Sequence, residues 1–251
     1  NHGILNAEKA RVLMSDDIHC SELYKALMPE IIIPLKSKNS LNGLIFLSKK
    51  IMGTPYTEQE FLFLDKLAKF ASIAVENSRL YRMATLDRMT GLYIHHYFKE
   101  RLTEEIKRAE RSELPLTLIM ADIDHFKDVN DTYGHQQGDI IIKEIASLIH
   151  QNIRSFDIAS RYGGEEFAII LTDSDINTAY HIAERLRKKI EDHKFPAEKE
   201  PIHITISMGI AQYNPAIDKN EQILIKRSDT ALYAAKAQGR NKVITNIDNN
   251  S

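Results

Sequence analysis

The feature that most constrains the fold is the segment RYGGEEFAII, residues 161–170. Two consecutive glycines separate two apolar runs, and this pattern predicts a β-hairpin, because glycine reaches the positive φ that a tight hairpin turn requires. Glu165 and Glu166 follow the glycines directly. Adjacent carboxylates repel each other unless a positive group lies close to them. The segment therefore predicts a hairpin with a cation at its tip.

Helical and strand-like segments alternate around this hairpin. The predicted helices cover residues 95–112, 138–153, 176–193 and 222–239, and the other predicted strands cover residues 114–123, 202–213 and 242–246. Such alternation indicates an α/β fold. The hairpin within it indicates a mixed or antiparallel sheet rather than a purely parallel one.

Upstream, two short strands, IIIPL (31–35) and LIFLS (44–48), are joined by a polar turn. A long helix is predicted to follow, with Thr57 as its N-cap and Glu60 as the capping-box partner. No Gly or Pro interrupts this helix before Asp87. We interpret it as a helix that leaves one domain and enters the next.

A second group of carboxylates lies where the apolar run LTLIMA ends, and it comprises Asp122, Asp124, Asp128 and Asp131. Asp122 and Asp124, two residues apart on an extended segment, can point the same way. Carboxylates at the end of a buried strand suit Mg²⁺, which prefers oxygen ligands and binds together with substrate phosphates. Together with the hairpin glutamates they predict a metal site. The alternative is that Asp124 caps the next helix and the glutamates are only solvated.

Three cations, Lys236, Arg240 and Lys242, surround the helix-ending Gly239. Positive groups in this arrangement suit a polyphosphate. Alternatively, they stabilise the negative end of the helix dipole.

Composition excludes several classes of protein. The chain has 33 basic and 35 acidic residues, so no basic excess points to a nucleic-acid polymer as partner. Its one cysteine, Cys20, cannot form an internal disulfide, and this suits a reducing cytoplasm. No apolar run approaches the roughly 18 residues of a membrane-spanning helix. Because the chain begins with Asn1, the sequence leaves an upstream membrane anchor open.

Four segments resemble, in order, the signature segments of the GGDEF domain family, the diguanylate cyclases: ADIDHFKDVNDTYGHQQGD, RYGGEEF, ITISMGIA and SDTALYAAKAQGRNKV. The resemblance covers roughly residues 85–245, and residues 31–81 resemble the C-terminal half of a GAF sensor domain. It implies a bacterial protein with a partial GAF-like α/β region at 1–80, ending in the linker helix, and a GGDEF domain at 81–251. The expected GGDEF fold is α/β and palm-like, with a central mixed or antiparallel sheet flanked by helices.

The resemblance implies that two GTP molecules condense to cyclic di-GMP and two pyrophosphates, each 3′-hydroxyl attacking the other nucleotide's α-phosphorus. It assigns Mg²⁺, with Mn²⁺ as the alternative ion, to Asp122, the carbonyl of Ile123 and Glu165. Glu165 or Glu166 would help to deprotonate the hydroxyl, and Lys127 would stabilise the transition state. Glu165 replaces the aspartate that names the family and keeps the carboxylate.

Substrate contacts also follow from the resemblance. Asn130 and Asp139 match the guanine-reading pair, His135 matches a substrate contact, and Lys236 and Arg240 match phosphate contacts. Guanine offers two adjacent donors that one carboxylate can accept, so we expect Asp139 to select against ATP. The alternative role of Asp139 is an N-cap for the following helix.

The segment RSFD matches the family's inhibitory Arg-x-x-Asp site for cyclic di-GMP, with Arg154 and Asp157 as ligands and Arg185 as a candidate second arginine. The alternative is an ordinary ion pair at a helix end.

One departure from the family lies at DRMTGLYIH, where Ile94 and His95 replace the usual Asn and Arg. We expect it to affect the packing of the linker turn and none of the metal or base-reading positions.

The product contains two guanylates and one site holds one GTP, so we expect a homodimer with two facing sites. Small residues of the long helix could pair with their twins, and they are Ala68, Ala71, Ala74 and Ser78. Alternatively, this stripe packs on its own GAF-like region.

A rival function is a catalytically silent receptor for GTP or cyclic di-GMP. The retained hairpin glycines and carboxylates favour the active cyclase.

Overall fold

The computed structural model describes residues 4–6, 26–36, 41–197 and 200–246. The chain divides into two compact units, Asn1–Ala84 and Thr85–Ser251. Within the described residues, no helix combines the length and apolar character that a bilayer crossing demands.

The N-terminal unit contains an antiparallel sheet in the order β1-β2-β3. Its strands are β1 (Leu5–Asn6), β2 (Ile31–Lys36) and β3 (Leu41–Leu47). The two strands predicted from the sequence are therefore confirmed, while most of the predicted turn between them, residues 37–40, lies outside the described residues.

The long helix α1 (Glu58–Thr85) follows this sheet and begins with the predicted capping box. The Thr57 backbone N–H donates to Glu60 Oε2 at 2.7 Å, and the Glu60 N–H donates to Thr57 Oγ1 at 3.3 Å. Lys50 Nζ lies 2.6 Å from the same Glu60 oxygen. Hydrogen bonds from Lys50 and then from Thr57 lower the pKa of Glu60 to about 2. The start of α1 is thus held by charge as well as by geometry.

One face of α1 packs on the sheet of its own unit. Ala68 forms a buried cluster with Ile31 and Ile33, and Ser72, one turn further on, is also buried. Ala74 and Ser78 are exposed. The small-residue stripe predicted to pair with a twin helix therefore begins, at Ala68, as a contact within the unit.

The C-terminal unit contains a six-stranded mixed sheet in the order β4-β6-β7-β5-β8-β9. Its strands are β4 (Tyr93–Ile94), β5 (Thr117–Ile123), β6 (Ile158–Arg161), β7 (Glu166–Leu171), β8 (Ile206–Gln212) and β9 (Val243–Asn246). Its helices are α2 (His95–Ser112), α3 (Phe126–Tyr133), α4 (His135–Asn152), α5 (Ile176–Asp192) and α6 (Glu221–Ala237). The outer pairs β4–β6 and β8–β9 are parallel, and the three inner pairs are antiparallel. The predicted mixed sheet is confirmed, and α3 is an additional short helix.

Strand β5 is buried on both faces, which explains its continuous apolar sequence. Ile119 and Ala121 belong to the core shared with α4 and α5, whereas Leu118 and Met120 belong to the core shared with α2 and α6. Asp122, the last polar residue of this strand, is only 6% exposed. Because helices cover both faces of β5, the Asp122 carboxylate at the end of this central strand is nearly buried.

Helix α6 touches the backbone of the sheet directly. A Cβ atom added to Gly209 of β8 would lie 2.1 Å from the Leu232 nitrogen and 2.2 Å from the Ser228 carbonyl oxygen. The Ser228 hydroxyl lies at the same crossing and donates to the Gly209 carbonyl at 2.8 Å. This close approach sets the height of α6 above the sheet, and so the position of Lys236 near its C-terminal end.

We predict that Gly209→Ala destabilises the protein, because the added methyl group meets backbone atoms that cannot move without displacing α6. Overpacking of this kind costs about 1–3 kcal/mol and more where backbone is involved. Urea unfolding of the two proteins measures the loss. Gly164→Ala is the control, since a Cβ atom there meets nothing within 4 Å. Equal midpoints for Gly209→Ala and wild type would contradict the close approach.

Candidate active site at the end of the central strands

The predicted hairpin is confirmed, but its glycines serve a different purpose. Strands β6 and β7 pair with Arg161 opposite Phe167, and the N–H groups of Tyr162 and Gly163 donate to the Glu166 carbonyl at 2.8 and 3.3 Å. Neither glycine of the hairpin has a positive φ, so the conformational reason given for them was wrong. A Cβ atom on Gly163 would lie 2.5 Å from Glu166 Oε2. Gly163 therefore makes room for a carboxylate.

The register of the sheet brings the two groups of carboxylates together. Asp122 of β5 stands opposite Glu166 of β7, and the Ile123 N–H donates to the Glu165 carbonyl at 3.3 Å. Burial raises the pKa of Asp122, Glu165 and Glu166, and the charge of Asp122 raises the pKa of both glutamates further. The three carboxylates thus share a partly desolvated site, in which the charge of Asp122 opposes the ionisation of both glutamates.

Lys236 brings positive charge to the three carboxylates. Its Nζ lies 2.9 Å from Asp122 Oδ2, and its charge lowers the pKa of all three carboxylates. The charge of Arg240 also lowers the pKa of Asp122. Burial nevertheless dominates, because each carboxylate keeps a raised pKa. The protein alone therefore leaves negative charge at this site that a further cation would neutralise.

The residues present fit a divalent cation that binds together with a substrate. Among the described residues, no group of three or more His, Cys, Asp or Glu side chains forms a complete metal cage. Mg²⁺ does not require one, since it is commonly held by one or two carboxylates plus substrate phosphates and water. Asp122 and Glu165, with oxygen donors and raised pKa values, have the chemistry of such a partial site.

The residues predicted to read guanine lie on α3 and α4. A Cβ atom on Gly138 would lie 2.0 Å from Asn130 Oδ1, so the Asn130 amide rests against the bare backbone beside Asp139. Asn130 and Asp139 are both half-buried. Helix α4 begins at His135 with Gly134 as its N-cap, so the alternative role of Asp139 as an N-cap is wrong.

Lys127 and His135 are exposed at the starts of α3 and α4. Neither side chain forms an ion pair or hydrogen bond with another residue in the part of the chain that the structure describes. The structure therefore leaves both side chains accessible to a ligand, and it does not bring them into contact with the carboxylates.

Asp124 has a structural role that the sequence did not reveal. The N-cap of α3 is His125, without a side-chain cap bond, so the alternative in which Asp124 caps this helix is wrong. Asp124 instead accepts hydrogen bonds from the hydroxyls of Thr205 and Ser207, at 2.8 and 2.7 Å, and from the Asn241 N–H at 2.9 Å. It joins the ends of β5 and β8 to the loop after α6.

Arg161 is a further residue of the site that sequence reasoning missed. Its Nε and Nη2 donate to the Gly164 carbonyl at 3.1 and 2.8 Å, and its Nη1 lies 3.5 Å from Asp87 Oδ2. Asp87 also accepts hydrogen bonds from Thr90, at 2.9 Å from the N–H and 2.7 Å from the hydroxyl. The position of Arg161 at the end of an apolar strand, just before the glycines, was the available signal. Arg161 ties the segment after α1 to the hairpin.

The departure at Ile94 and His95 also reaches the hairpin. The His95 ring packs on Tyr162 with centroids 4.2 Å apart, directly before Gly163. Its Nε2 is buried with no hydrogen-bond partner among the described residues, and burial lowers the pKa of this imidazole. Where the family usually has a polar pair, this chain therefore has aromatic packing against the hairpin.

Arg154, Asp157 and Arg185 line a common cavity of about 300 Å³ between the turn before β6 and helix α5. Buried Asp157 accepts hydrogen bonds from the N–H groups of Arg154 at 2.9 Å and Thr172 at 3.3 Å. Arg185 Nη2 donates to the Asn152 carbonyl at 2.8 Å. The Asp157 carboxylate thus shapes the turn, and the exposed Arg154 guanidinium is not paired with it.

Residues 84–242 match the sequence profile described as diguanylate cyclase, GGDEF domain. Diguanylate cyclase A of Treponema denticola is 38% identical over 229 residues, which cover 89% of this chain and 61% of that protein. The chain therefore spans less than two thirds of the length of this relative.

Two solved structures share the fold. The coiled coil and GGDEF domain of DgcB from Caulobacter crescentus, in complex with c-di-GMP, gives a TM-score of 0.68 at 31% identity, covering 75% of this chain and 100% of that one. The active GGEEF domain of a diguanylate cyclase from Vibrio cholerae gives 0.57 at 35%, covering 60% and 94%. The mixed sheet flanked by helices is thus the GGDEF fold. With the profile matching more than half of its length and GGEEF at residues 163–167, the chain belongs to the GGDEF domain family of diguanylate cyclases.

Proposed function

We propose that this protein is a diguanylate cyclase that condenses two GTP molecules into cyclic di-GMP and two pyrophosphates. The observation that carries the proposal is the ion pair of Asp122 with Lys236 at the end of the sheet, close enough to Glu165 and Glu166 for both charges to shift their pKa values. The Vibrio cholerae domain, described as active, carries the same GGEEF sequence. This supports activity with glutamate at position 165. No observation specifically favours the silent receptor.

The triphosphate is bound by Lys236 and Arg240, while Asp122, the carbonyl of Ile123 and Glu165 would hold Mg²⁺ or Mn²⁺. A bound ion would supply positive charge that offsets the charge of the phosphates and polarises the phosphorus under attack. Lys236 neutralises Asp122 in the free protein, and phosphate oxygens compete with Asp122 for this ammonium group. Exposed Lys127 stabilises the transition state at the α-phosphorus under attack.

The raised pKa values of Glu165 and Glu166 suit proton transfer, because a carboxylate of higher pKa is a stronger base. One of them accepts the proton of the 3′-hydroxyl. Asn130, Asp139 and His135 bind the guanine nucleotide. Asp139 discriminates against adenine, which lacks the adjacent donor pair.

The reaction requires two sites that face each other, so the active form is a homodimer. Large apolar side chains on α1 are exposed at heptad spacing: Phe63 at 62%, Phe70 at 71%, Ile73 at 58% and Leu80 at 52%. These four residues form the apolar face of α1. Residues at a and d positions pair helices in coiled coils, and the DgcB structure is described as containing one. The apolar face of α1, rather than the small-residue stripe, is therefore the pairing surface. Residues 1–80 would act as a GAF-like sensor.

Cyclic di-GMP inhibits the enzyme by binding in the cavity of Arg154, Asp157 and Arg185. Two exposed guanidinium groups at one cavity suit the two phosphates of the product. The DgcB structure, which contains c-di-GMP, supports recognition of this product within the fold.

We predict that Asp122→Asn and Glu165→Gln each lower the rate of cyclic di-GMP synthesis by roughly 100-fold or more, the scale of a general base or metal ligand. Neither should destabilise the fold. Burial raises the pKa of both carboxylates, so their charged forms oppose folding at neutral pH, and this cost is relieved as pH falls through the raised pKa. Removing the charge of Glu165 should keep or raise the melting temperature.

The test combines product chromatography with thermal unfolding of the same preparations. Near-wild-type turnover in either variant would contradict the metal and base assignments. A lower melting temperature for Glu165→Gln would contradict the electrostatic strain at the hairpin.

We predict that Phe70→Glu and Ile73→Glu weaken dimerisation and lower turnover together, because each places a charge in an apolar helix pair. Sedimentation at several protein concentrations measures the dimer, and turnover per molecule should rise with concentration in wild type. Arg79→Glu, exposed on α1 but off the apolar face, is the control. Turnover that stays constant down to concentrations where the protein is monomeric would refute the dimer.

We predict that Arg154→Ala raises the cyclic di-GMP concentration for half inhibition by about tenfold, the value of one charge-assisted hydrogen bond, without lowering the initial rate. Arg111→Ala, in the last turn of α2, is the control. Unchanged inhibition by Arg154→Ala would show that the RSFD segment only shapes the turn. Asp157 is unsuited to this test because its carboxylate holds two backbone N–H groups.

A further inference from the structure

The loop that carries Arg240 begins at a defined helix end. Helix α6 closes with the Gly239 N–H donating to the Lys236 carbonyl at 3.4 Å and the Arg240 N–H donating to the Ala235 carbonyl at 3.1 Å. Gly239 has a φ of +103°, so the helix ends in the Schellman motif that glycine favours. Lys236 and Arg240 are thus both residues of this motif.

The backbone after Gly239 is unusual. Arg240 and Asn241 have φ values of +59° and +47°, so two successive residues with side chains adopt the left-handed conformation. L-residues disfavour this region, and a pair of them persists only where surrounding contacts hold it. The direction of the Arg240 side chain depends on this backbone.

Asn241 is held at three points. Its N–H donates to Asp124 Oδ2 at 2.9 Å, its Oδ1 accepts from Arg187 Nη1 at 2.7 Å, and its Nδ2 donates to Glu191 Oε1 at 2.6 Å. Asp124 belongs to the end of the central strand, and the other two belong to α5. One residue of the loop is therefore fastened to two separate elements of the core.

Arg187 is the unusual member of this set. It is 9% exposed, and Glu184 at 3.1 Å and Glu191 at 2.8 Å already neutralise its charge within α5. The Asn241 amide oxygen is an additional acceptor that an ion pair within one helix does not need. Of the α5 side chains, Arg187 and Glu191 thus reach the loop that carries the phosphate contact.

We propose that Arg187 and Asp124 are positioning residues for substrate: through Asn241 they hold the left-handed loop, and so Arg240, in the orientation that binds the triphosphate of GTP. The proposal rests on the proposed function and extends it to a helix outside the catalytic set. It assigns to Arg187 an effect on the phosphates of the substrate and none on its guanine.

The first test compares two ligands with Mg²⁺ present: a non-hydrolysable GTP analogue with an α,β-methylene bridge, and guanosine, which has no phosphate. Arg187→Met should weaken binding of the analogue by about tenfold, the loss expected from one charged hydrogen bond, and leave guanosine binding unchanged. Arg101→Met is the matched control, because Arg101 also pairs with two glutamates on its own helix, at 2.8 and 2.6 Å. An equal loss for guanosine and the analogue would overturn the proposal.

A double-mutant cycle separates positioning from general stability. If Arg187 acts through Arg240, Arg187→Met should cause no further loss of analogue affinity in an Arg240→Ala background. Additive losses would overturn the proposal. Wild type that fails to bind the analogue would overturn the proposed function as well, whereas normal wild-type binding with an unaffected Arg187→Met overturns this proposal alone.

Variants of the loop keep the test decisive if Arg187→Met loses stability. Asn241→Gly removes the side-chain hydrogen bonds, but glycine adopts a positive φ without strain. Asn241→Ala removes the same hydrogen bonds and also disfavours the positive φ. We expect Asn241→Ala to lose more analogue affinity than Asn241→Gly. Equal, wild-type affinity in both would overturn the proposal.

Discussion

The ion pair between Asp122 and Lys236 is the interaction on which the rest of the site depends. A nearly buried carboxylate at the end of a central strand is costly unless a cation meets it, and Lys236 Nζ does so at 2.9 Å. Glu165 and Glu166 add negative charge to the same place, and their pKa values rise. The protein thus maintains an excess of negative charge that a divalent cation would relieve.

Much of the unit serves to deliver these charges to one point. Gly209 lets α6 approach the sheet closely, and this approach sets the position of Lys236 near the end of the helix. Gly163 makes room for the carboxylate of Glu166. Asp124 accepts hydrogen bonds from Thr205 and Ser207 at the start of β8 and from Asn241 in the loop that follows α6. The residue type at each of these positions follows from the group that packs against it.

The hairpin is also supported from the segment that follows α1. Arg161 bridges Asp87 and the Gly164 carbonyl, and His95 packs on Tyr162. One contact is made by Tyr162, directly before the glycines, and the other by the carbonyl of Gly164 itself. A change in the conformation of residues 87–95 would therefore alter these contacts with the hairpin. Ile94 and His95 replace the usual polar pair, so one of the contacts is aromatic packing.

The sequence by itself determined the order of the longer helices and strands, the hairpin, the capping box of α1 and the identity of the charged residues, because these depend on local periodicity and on residue chemistry. The short elements β1, β4 and α3 were not predicted. Only the tertiary structure decided why Gly163 is glycine, that Asp124 and Asp139 are not helix caps, and that Ala68 packs on its own sheet. It also joined Arg161 to Asp87, and Arg187 to the loop that follows α6. These facts depend on distances between residues far apart in the chain, and no local pattern of residues encodes such distances.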